Sequence, residues 1–484
     1  MKAISVLGTS SNSGKSWMAA ALCALLRRKG VSVAPFKAQN MSNNSFVTMD
    51  GGEMGRAQAV QAEACGIAPR VEMNPILLKP SGGLGSQLVV LGRARGHVKA
   101  AEYYTQTEVL WPVVCEALDF WRSRCEVLVL EGAGSPVELN LMSRDLVNLR
   151  PVHHLDGRWL LVADIERGGV FAQIVGTWNL LQPDDRQRAL GVVVNKFRGD
   201  LSLFSGARQC LADHVSLPYL GVLPFSARLQ PESEDSLCQQ GEERSGAGGA
   251  LAWVRFPHLS NSQDSQPWLL DGGVGVRWVQ SPAQLADARA IVLPGSKNTL
   301  ADLAWLRSTG LAPAIVAAAR RDVPVVGICG GYQMLGETLS DPAGVAGEAG
   351  EVAGLGLLPV ATRFAERKEV RQVRASWRGA QWDAYEIHMG RTQPTGPAEP
   401  LLEVSCEGQV RGEGARCGAV WGTYLHGLFE SGPVREALAQ EAGLAGHELA
   451  RVPWREHLQG VYDGMADLLE EHLNLESLWR YVED

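Results

Sequence analysis

At 484 residues the chain exceeds one ordinary domain and reads as two or three. An apolar content of 45% supports real cores, and a net charge of −8 without cationic runs excludes a nucleic-acid binder. Nine cysteines, odd in number and without CxxC or Cys/His metal spacing, exclude a disulfide framework or zinc site and point to free thiols in a reducing compartment.

The N-terminus does not read as a signal peptide. The polar stretch Thr9 to Ser16 breaks any apolar run, and Arg27, Arg28 and Lys29 follow Trp17 to Leu26 where a small-residue cleavage site belongs. No apolar stretch approaches the roughly 18 to 20 residues of a membrane span, so a cytoplasmic protein off the membrane is expected.

Ala3 to Leu7 is a short apolar strand, Gly8 to Ser16 (GTSSNSGKS) a glycine loop, and Trp17 to Lys29 a helical pattern. That order binds phosphate: N–H groups of the loop hold phosphate oxygens, Lys15 adds a point charge, and the Ser16 hydroxyl reaches Mg²⁺. Five residues rather than four separate Gly8 from Gly14, a spacing similar to the loop of dethiobiotin synthetase, an ATP-dependent enzyme that activates a carboxylate as its phosphate. ATP and Mg²⁺ are the implied cofactors, consumed or exchanged rather than permanently bound.

Val31 to Phe36 is the second strand, opening onto FKAQNMSNNSF, where Lys37, Gln39, Asn40 and Asn43 sit among dense amides suited to a substrate rich in carboxylates and amides. A helical stretch, Met54 to Gly66, and MNPILLKP, ending in Lys79 and Pro80, follow. Glu126 to Glu131 is a buried-type strand ending in an acid, which makes Glu131 the first metal candidate beside Ser16. Asp145 lies in the polar loop beyond it. Trp159 to Asp164 ends in a second acid; Asp164 either joins the metal or caps the helix begun by GGVFAQIVGTW, and the flanking glycines favour the cap. Gly191 to Lys196 places Asn195 at a strand end, where such folds read the nucleotide base. Apolar strands alternating with helical stretches predict a parallel sheet with helices on both faces, with ligands at the strands' carboxyl ends.

Residues 230–250 are acidic, Gly- and Ser-rich and without period, and read as a linker between a 1–229 domain and a 251–484 domain. Strands resume at Ala252 to Phe256, Val274 to Val279 and Ala290 to Leu293. Pro324 to Gly336 (PVVGICGGYQMLG) is a nucleophile elbow: an apolar strand delivers Cys329 into a tight turn whose next two residues are glycine. Gly295, in LPGSKNT, and Gly330 are candidate N–H donors to an oxyanion or to the bound substrate. Gly344 to Gly356 reads as a glycine-heavy loop, and Gly418 to Glu430 as a strand ending at His426, the candidate base. The leucine stripe of the tail, Leu468 to Trp479, reads as packing against the parent domain.

ICGGYQMLG, LPGSKNT, YEIHMGRT (Tyr385 to Thr392) and GTYLHG together resemble the glutamine amidotransferase domain of the cobyric acid synthase family, and the first-half stretches FKAQNMSNNS and MNPILLKP resemble the same family. The fold implied is α/β in two domains, an N-terminal P-loop, dethiobiotin-synthetase-like parallel sheet and a C-terminal class I glutamine amidotransferase-like domain. By that resemblance Cys329 attacks the glutamine amide, His426 shuttles the proton, and the released ammonia amidates a corrinoid carboxylate activated by ATP. The implied substrate is adenosylcobyrinic acid a,c-diamide, amidated at b, d, e and g. The sequence departs twice. Gly83 stands where the family has Asp, and Leu428, not an acid, lies two residues after His426. The third triad member is therefore left among Glu430, Glu386 and His388. Two other readings remain, the sibling a,c-diamide synthase and a P-loop ATPase switch with an inactive amidotransferase domain. An unprotonated ammonia molecule also implies a sheltered path between the two sites.

Overall fold

A computed structural model describes residues 1–80, 85–231, 249–271, 273–345, 349–444 and 452–484. Gly83 and most of the expected linker lie outside the described residues. The chain divides into two compact units. Met1–Ser42, the described residues from Met54 to 231, and Leu458–Asp484 form the first; Asn43–Glu53 and the described residues from 249 to His457 form the second.

The first unit is built on six strands, β1 (Lys2–Gly8), β2 (Val33–Phe36), β3 (Val127–Glu131), β4 (Arg158–Asp164), β5 (Ala189–Phe197) and β6 (Tyr219–Pro224). They pair in the order β6-β5-β4-β1-β3-β2, all parallel. Both faces of such a sheet are covered, which is why β3 (VLVLE) and β4 (RWLLVAD) are near-continuous apolar runs. Helix α1 (Lys15–Arg28) follows β1 directly, and α2 (Arg56–Cys65) comes later. Ile76–Pro80 lies in a separate four-stranded sheet, so MNPILLKP is a strand with Lys79 buried on it.

The C-terminal leucine stripe belongs to this first unit, not to the amidotransferase half that precedes it in sequence. The reason is charge as well as burial. Arg27 and Arg28 close the last turn of α1, where cations meet the negative helix end, and they pair with Asp463 and Asp467 at 2.9 and 2.5 Å. Leu469 and Leu478 are buried.

The second unit carries a sheet of β7 (Ala250–Val254), β8 (Gly275–Val279), β9 (Ala288–Leu293), β10 (Val325–Ile328) and, near the chain end, Val420–Thr423. The order β8-β7-β9-β10-Val420–Thr423 is parallel, closed by the antiparallel Ala415–Cys417. A second sheet was not anticipated. Its spine is a hairpin of Val360–Trp377 and Ala380–Pro394, whose inner edge pairs with Leu425–His426. Gly350–Ala353 also joins it, pairing with Thr338–Asp341, where a loop was expected. Charged residues along TRFAERKEVRQVR hide the alternation of a strand with one wet face. The strand expected to run unbroken to His426 splits at Tyr424, leaving one sheet for the other.

Candidate active site

The four residues of β10 are buried, and Cys329 follows with φ 52° and ψ −106°, a strained conformation for a residue with a Cβ. The strain persists because the neighbours over-determine it: Cys329 N–H donates to the Thr423 carbonyl at 2.8 Å and Gly331 N–H to the Pro294 carbonyl at 3.1 Å. A Cβ on Gly331 would lie 1.9 Å from the Leu293 carbonyl oxygen, so only glycine lets the turn pack against the end of β9. Gly330 packs against Ser296, and Gly295 approaches the His426 ring so closely that a Cβ there would lie 3.1 Å from Cε1. The elbow and both glycine candidates therefore meet.

His426 is wholly buried and its Nδ1 pairs with Asp264 Oδ2 at 2.7 Å; Asp264 Oδ1 also accepts from Gly427 N–H at 2.8 Å. Nε2 is buried without a formed hydrogen bond. Burial by itself lowers the imidazole pKa, but the Asp264 carboxylate and then Cys329 outweigh it and raise it to about 10. The sulfur thus lies within electrostatic reach of the ring, and it approaches the Ile387 carbonyl at 3.6 Å. Thiol, imidazole and carboxylate thus lie together, the arrangement that a nucleophile, a base and an orienting acid require.

Asp264 was missed, and it replaces all three acids and bases nominated from sequence. Glu386 is held by Arg371 and Arg411, the latter at 2.8 Å. His388 Nδ1 pairs with the Gly390 carbonyl at 2.7 Å. Glu430 lies in the turn after His426, whose Nδ1 is already taken by Asp264. No local signal marked Asp264, one acid in the polar run SNSQDSQ. What seats it is the segment read as a substrate loop. Asn44 Oδ1 accepts from Asn261 N–H at 2.9 Å, and Asn261 Oδ1 accepts from Ser45 N–H at 3.0 Å, pinning the left-handed Asn261 at the start of the turn that carries Asp264. Asn43, whose carbonyl accepts from Ser260 Oγ at 3.2 Å, thus belongs to this scaffold in the second unit. Tyr385, first residue of YEIHMGRT, stacks on His426 with centroids 5.3 Å apart and accepts from Gln263 Nε2 at 2.8 Å.

Glu413 supports the strand that delivers the histidine: its carboxyl accepts from Thr423 Oγ1 at 2.5 Å and Tyr424 N–H at 2.7 Å. Burial, then the nearby Glu386, push it up to about 7 from an ordinary 4.5. The folded chain therefore keeps a proton that the unfolded chain has released. Stability should fall as pH rises from about 4.5 to about 7 through this group and level off above, because there the folded state binds more protons. Glu413→Gln should remove that leg from a plot of urea midpoint against pH.

In the first unit the loop after β1 carries Gly14 at φ 100° as the N-cap of α1. A Cβ there would meet Asn195 Nδ2 at 2.0 Å, because Asn195 donates to the Ser13 carbonyl at 3.0 Å. Asn195 thus braces the loop with its amide N–H. Gly14→Ala should cost about 1–3 kcal/mol of stability from backbone strain and abolish nucleotide binding, measured by thermal shift with and without MgATP. Asn195→Ala in the same chain should relieve the clash and not the strain. Gly8 likewise packs under Ser13 and Lys15.

Lys15 Nζ donates to the carbonyls of Ser10 and Gly134 at 2.8 and 2.9 Å. Glu131, at the end of β3, accepts from Ser16 Oγ and Lys37 Nζ, both at 2.8 Å, and from Gln61 Nε2 at 2.5 Å. Burial would raise its pKa; the Lys37 ammonium, Ser16 and Gln61 hold it below the usual carboxylate range. An ionised, buried carboxylate against a hydroxyl is the oxygen donor set a magnesium ion takes.

Asp164 is committed elsewhere. It pairs with Lys196 at 3.0 Å and accepts from Glu166 N–H at 2.8 Å, while the next helix is capped by Gly169 without a side chain, so the helix cap does not hold. Asp145 accepts from the N–H groups of Val147, Asn148 and Leu149 at 3.0 to 3.1 Å, a capping role. Gln39 accepts from Tyr103 O–H at 3.1 Å beside the same loop, and Asn40 donates to Gln58 at 3.0 Å. The eight cysteines among the described residues are free. No helix among them is long and apolar enough to cross a membrane.

Comparison with known proteins agrees with both halves. Residues 4–237 match the CobQ/CobB/MinD/ParA nucleotide binding domain, and residues 250–434 the CobB/CobQ-like glutamine amidotransferase domain. The cobyric acid synthase of Nocardia farcinica is 46% identical over 505 residues, covering 100% of this chain and 97% of that protein. Those of Desulfitobacterium hafniense (strain DSM 10664 / DCB-2) and Synechocystis sp. are 44% and 42% identical, covering 90% and 99% of this chain and 88% and 98% of theirs. With an elbow thiol and its histidine in one unit, a P-loop in the other, and likeness along nearly the whole length, this chain belongs to the cobyric acid synthase family.

Proposed function

We propose that the chain is a glutamine-hydrolysing, ATP-dependent carbon–nitrogen ligase of cobalamin biosynthesis that amidates the b, d, e and g carboxylates of adenosylcobyrinic acid a,c-diamide to give adenosylcobyric acid. The observation that carries it is the pairing of two incomplete chemistries on one polypeptide: a connected Cys329, His426 and Asp264 in the second unit and a phosphate loop facing Glu131 in the first.

Glutamine's amide nitrogen is unreactive and a carboxylate is a poor electrophile. Cys329 sulfur adds to the amide carbon, His426 passes a proton to the leaving nitrogen, and ammonia departs from a γ-glutamyl thioester. Water attacks that thioester with His426 as base, returning glutamate and the thiol. Gly295 and Gly330 are the candidate donors to the oxyanion, and Asp264 holds the imidazole with Nε2 towards the sulfur. In the first unit the backbone of Gly8 to Gly14 and Lys15 cradle ATP phosphates. Ser16 and Glu131 would hold magnesium, which supplies charge to the phosphate oxygens when bound. The substrate carboxylate takes the γ-phosphoryl group, and ammonia displaces phosphate from the acyl phosphate to form the amide.

The switch reading is disfavoured by the assembled thiol and imidazole, which an inactive domain has no reason to keep. The expected cellular site is the cytoplasm. The test is the mass of a corrinoid a,c-diamide incubated with glutamine and MgATP: four amidations are expected, whereas acceptance only of substrate lacking the a and c amides would assign the sibling activity.

A further inference from the structure

The loop of Gly295 and Ser296, which approaches the elbow, is held from behind by a carboxylate. Ser296 Oγ donates to Asp302 Oδ2 at 2.5 Å, and His258 gives Oδ1 two hydrogen bonds, from its backbone N–H at 3.2 Å and from ring Nδ1 at 2.8 Å. Asp302 is wholly buried, in the first turn of the helix Thr299–Ser308, whose positive end favours a negative charge. Burial pushes its carboxyl up from the ordinary range, and the hydrogen bonds from Ser296 and His258 counter that by favouring the ionised form.

The two segments tied in this way lead to different parts of the thiol site. Leu259–Ser260 pairs antiparallel with Gly295–Ser296, and the His258 carbonyl accepts from Lys297 N–H at 2.8 Å. On one side, His258 runs through Leu259 and Ser260 to Asn261, where the turn that carries Asp264 begins. On the other, the Ser296 backbone abuts the residue after the thiol: a Cβ on Gly330 would lie 2.9 Å from the Ser296 nitrogen. One buried carboxylate with donors from both segments therefore fixes the spacing between them, where a displacement of about 1 Å costs about 10²-fold in rate.

We propose that Asp302 is a positioning residue for glutamine hydrolysis: by holding Ser296 and His258 together it aims the Gly295–Ser296 backbone at the oxyanion formed when Cys329 adds to the amide. It acts through the loop and so rests on the glutaminase reading above. Addition of sulfur to the amide carbon moves the carbonyl electron pair onto oxygen, and only then is an aimed donor needed. Losing the aim therefore lowers kcat and leaves the binding of glutamine alone.

In the full-length protein Asp302→Asn keeps the shape but turns one acceptor oxygen into a donor, so Ser296 and His258 can no longer both be satisfied. kcat for glutamine hydrolysis should fall by about 10- to 100-fold with KM within a few-fold. The rate at which iodoacetamide alkylates Cys329, followed by peptide mass, should stay within a few-fold, since displacement at a saturated carbon develops no oxyanion. Ser296→Ala, which removes only the hydroxyl donor, should show the same split, and the two changes together should cost less than their product. Unchanged kcat in Asp302→Asn overturns the assignment and leaves the glutaminase intact. A KM or an alkylation rate that shifts as far as kcat also overturns it, as a general loosening of the elbow. Should Asp302→Asn fail to fold, Ser296→Ala decides by the same criteria. Absence of glutamine hydrolysis in wild type, with or without corrinoid and MgATP, removes the glutaminase reading and this assignment together.

Discussion

Cys329→Ala is expected to reduce glutamine-dependent amidation by about 10⁴-fold or more, as removal of a covalent nucleophile does, while amidation supplied with an ammonium salt persists. Alanine fits the site, because the strained φ of 52° is imposed by hydrogen bonds from Cys329 and Gly331 that do not involve the side chain. The P-loop unit contains none of the groups around the thiol, so its phosphoryl chemistry should be untouched. Product formation with each nitrogen donor at fixed MgATP checks this; undiminished glutamine-dependent turnover in the variant would refute a thiol mechanism. Ammonia-dependent turnover lost in parallel would instead mark a folding defect.

Asp264→Asn should lower the glutamine-dependent rate by about 10³- to 10⁴-fold with little change in KM. The amide keeps the shape but donates where the carboxylate accepted. It thus no longer balances the imidazolium, and the proton that His426 passes to the leaving nitrogen loses its stabilising carboxylate. Stability should respond with a defined sign. The folded chain keeps on His426 a proton that the unfolded chain releases near 6.5, so the contribution of the pair is whole below about 6.5 and is lost as pH rises towards about 10. Asp264→Asn should flatten that alkaline loss, followed by thermal midpoints from pH 6 to 10. The same variant should leave ammonia-dependent amidation intact.

Residues near one another in sequence were legible, and for one reason. A phosphate loop is a strand, a glycine turn and a helix start within Gly8 to Ser16, and an elbow is a strand, a cysteine and two glycines within Val325 to Gly331; both chemistries depend on backbone shape over a few residues. The buried strands Val127–Glu131 and Arg158–Asp164 were equally visible, since parallel sheets covered on both faces leave unbroken apolar runs. Asp164 and Asp145 misled because an acid at a strand end or in a loop looks the same whether it meets a cation, as Asp164 meets Lys196, or backbone N–H groups, as Asp145 does.

From its order of residues alone the chain determined two α/β halves, the phosphate loop, the thiol and the histidine. Folding in three dimensions decided which acid orients that histidine, because Asp264 lies 162 residues away and is seated by Asn44 and Ser45 from the far end of the chain. It also decided that the C-terminal helices complete the first unit, where the arginines ending α1 find acids more than 430 residues distant. Hydrogen bonds and ion pairs are satisfied by proximity in space, and no pattern along a single stretch of chain encodes which distant partner arrives.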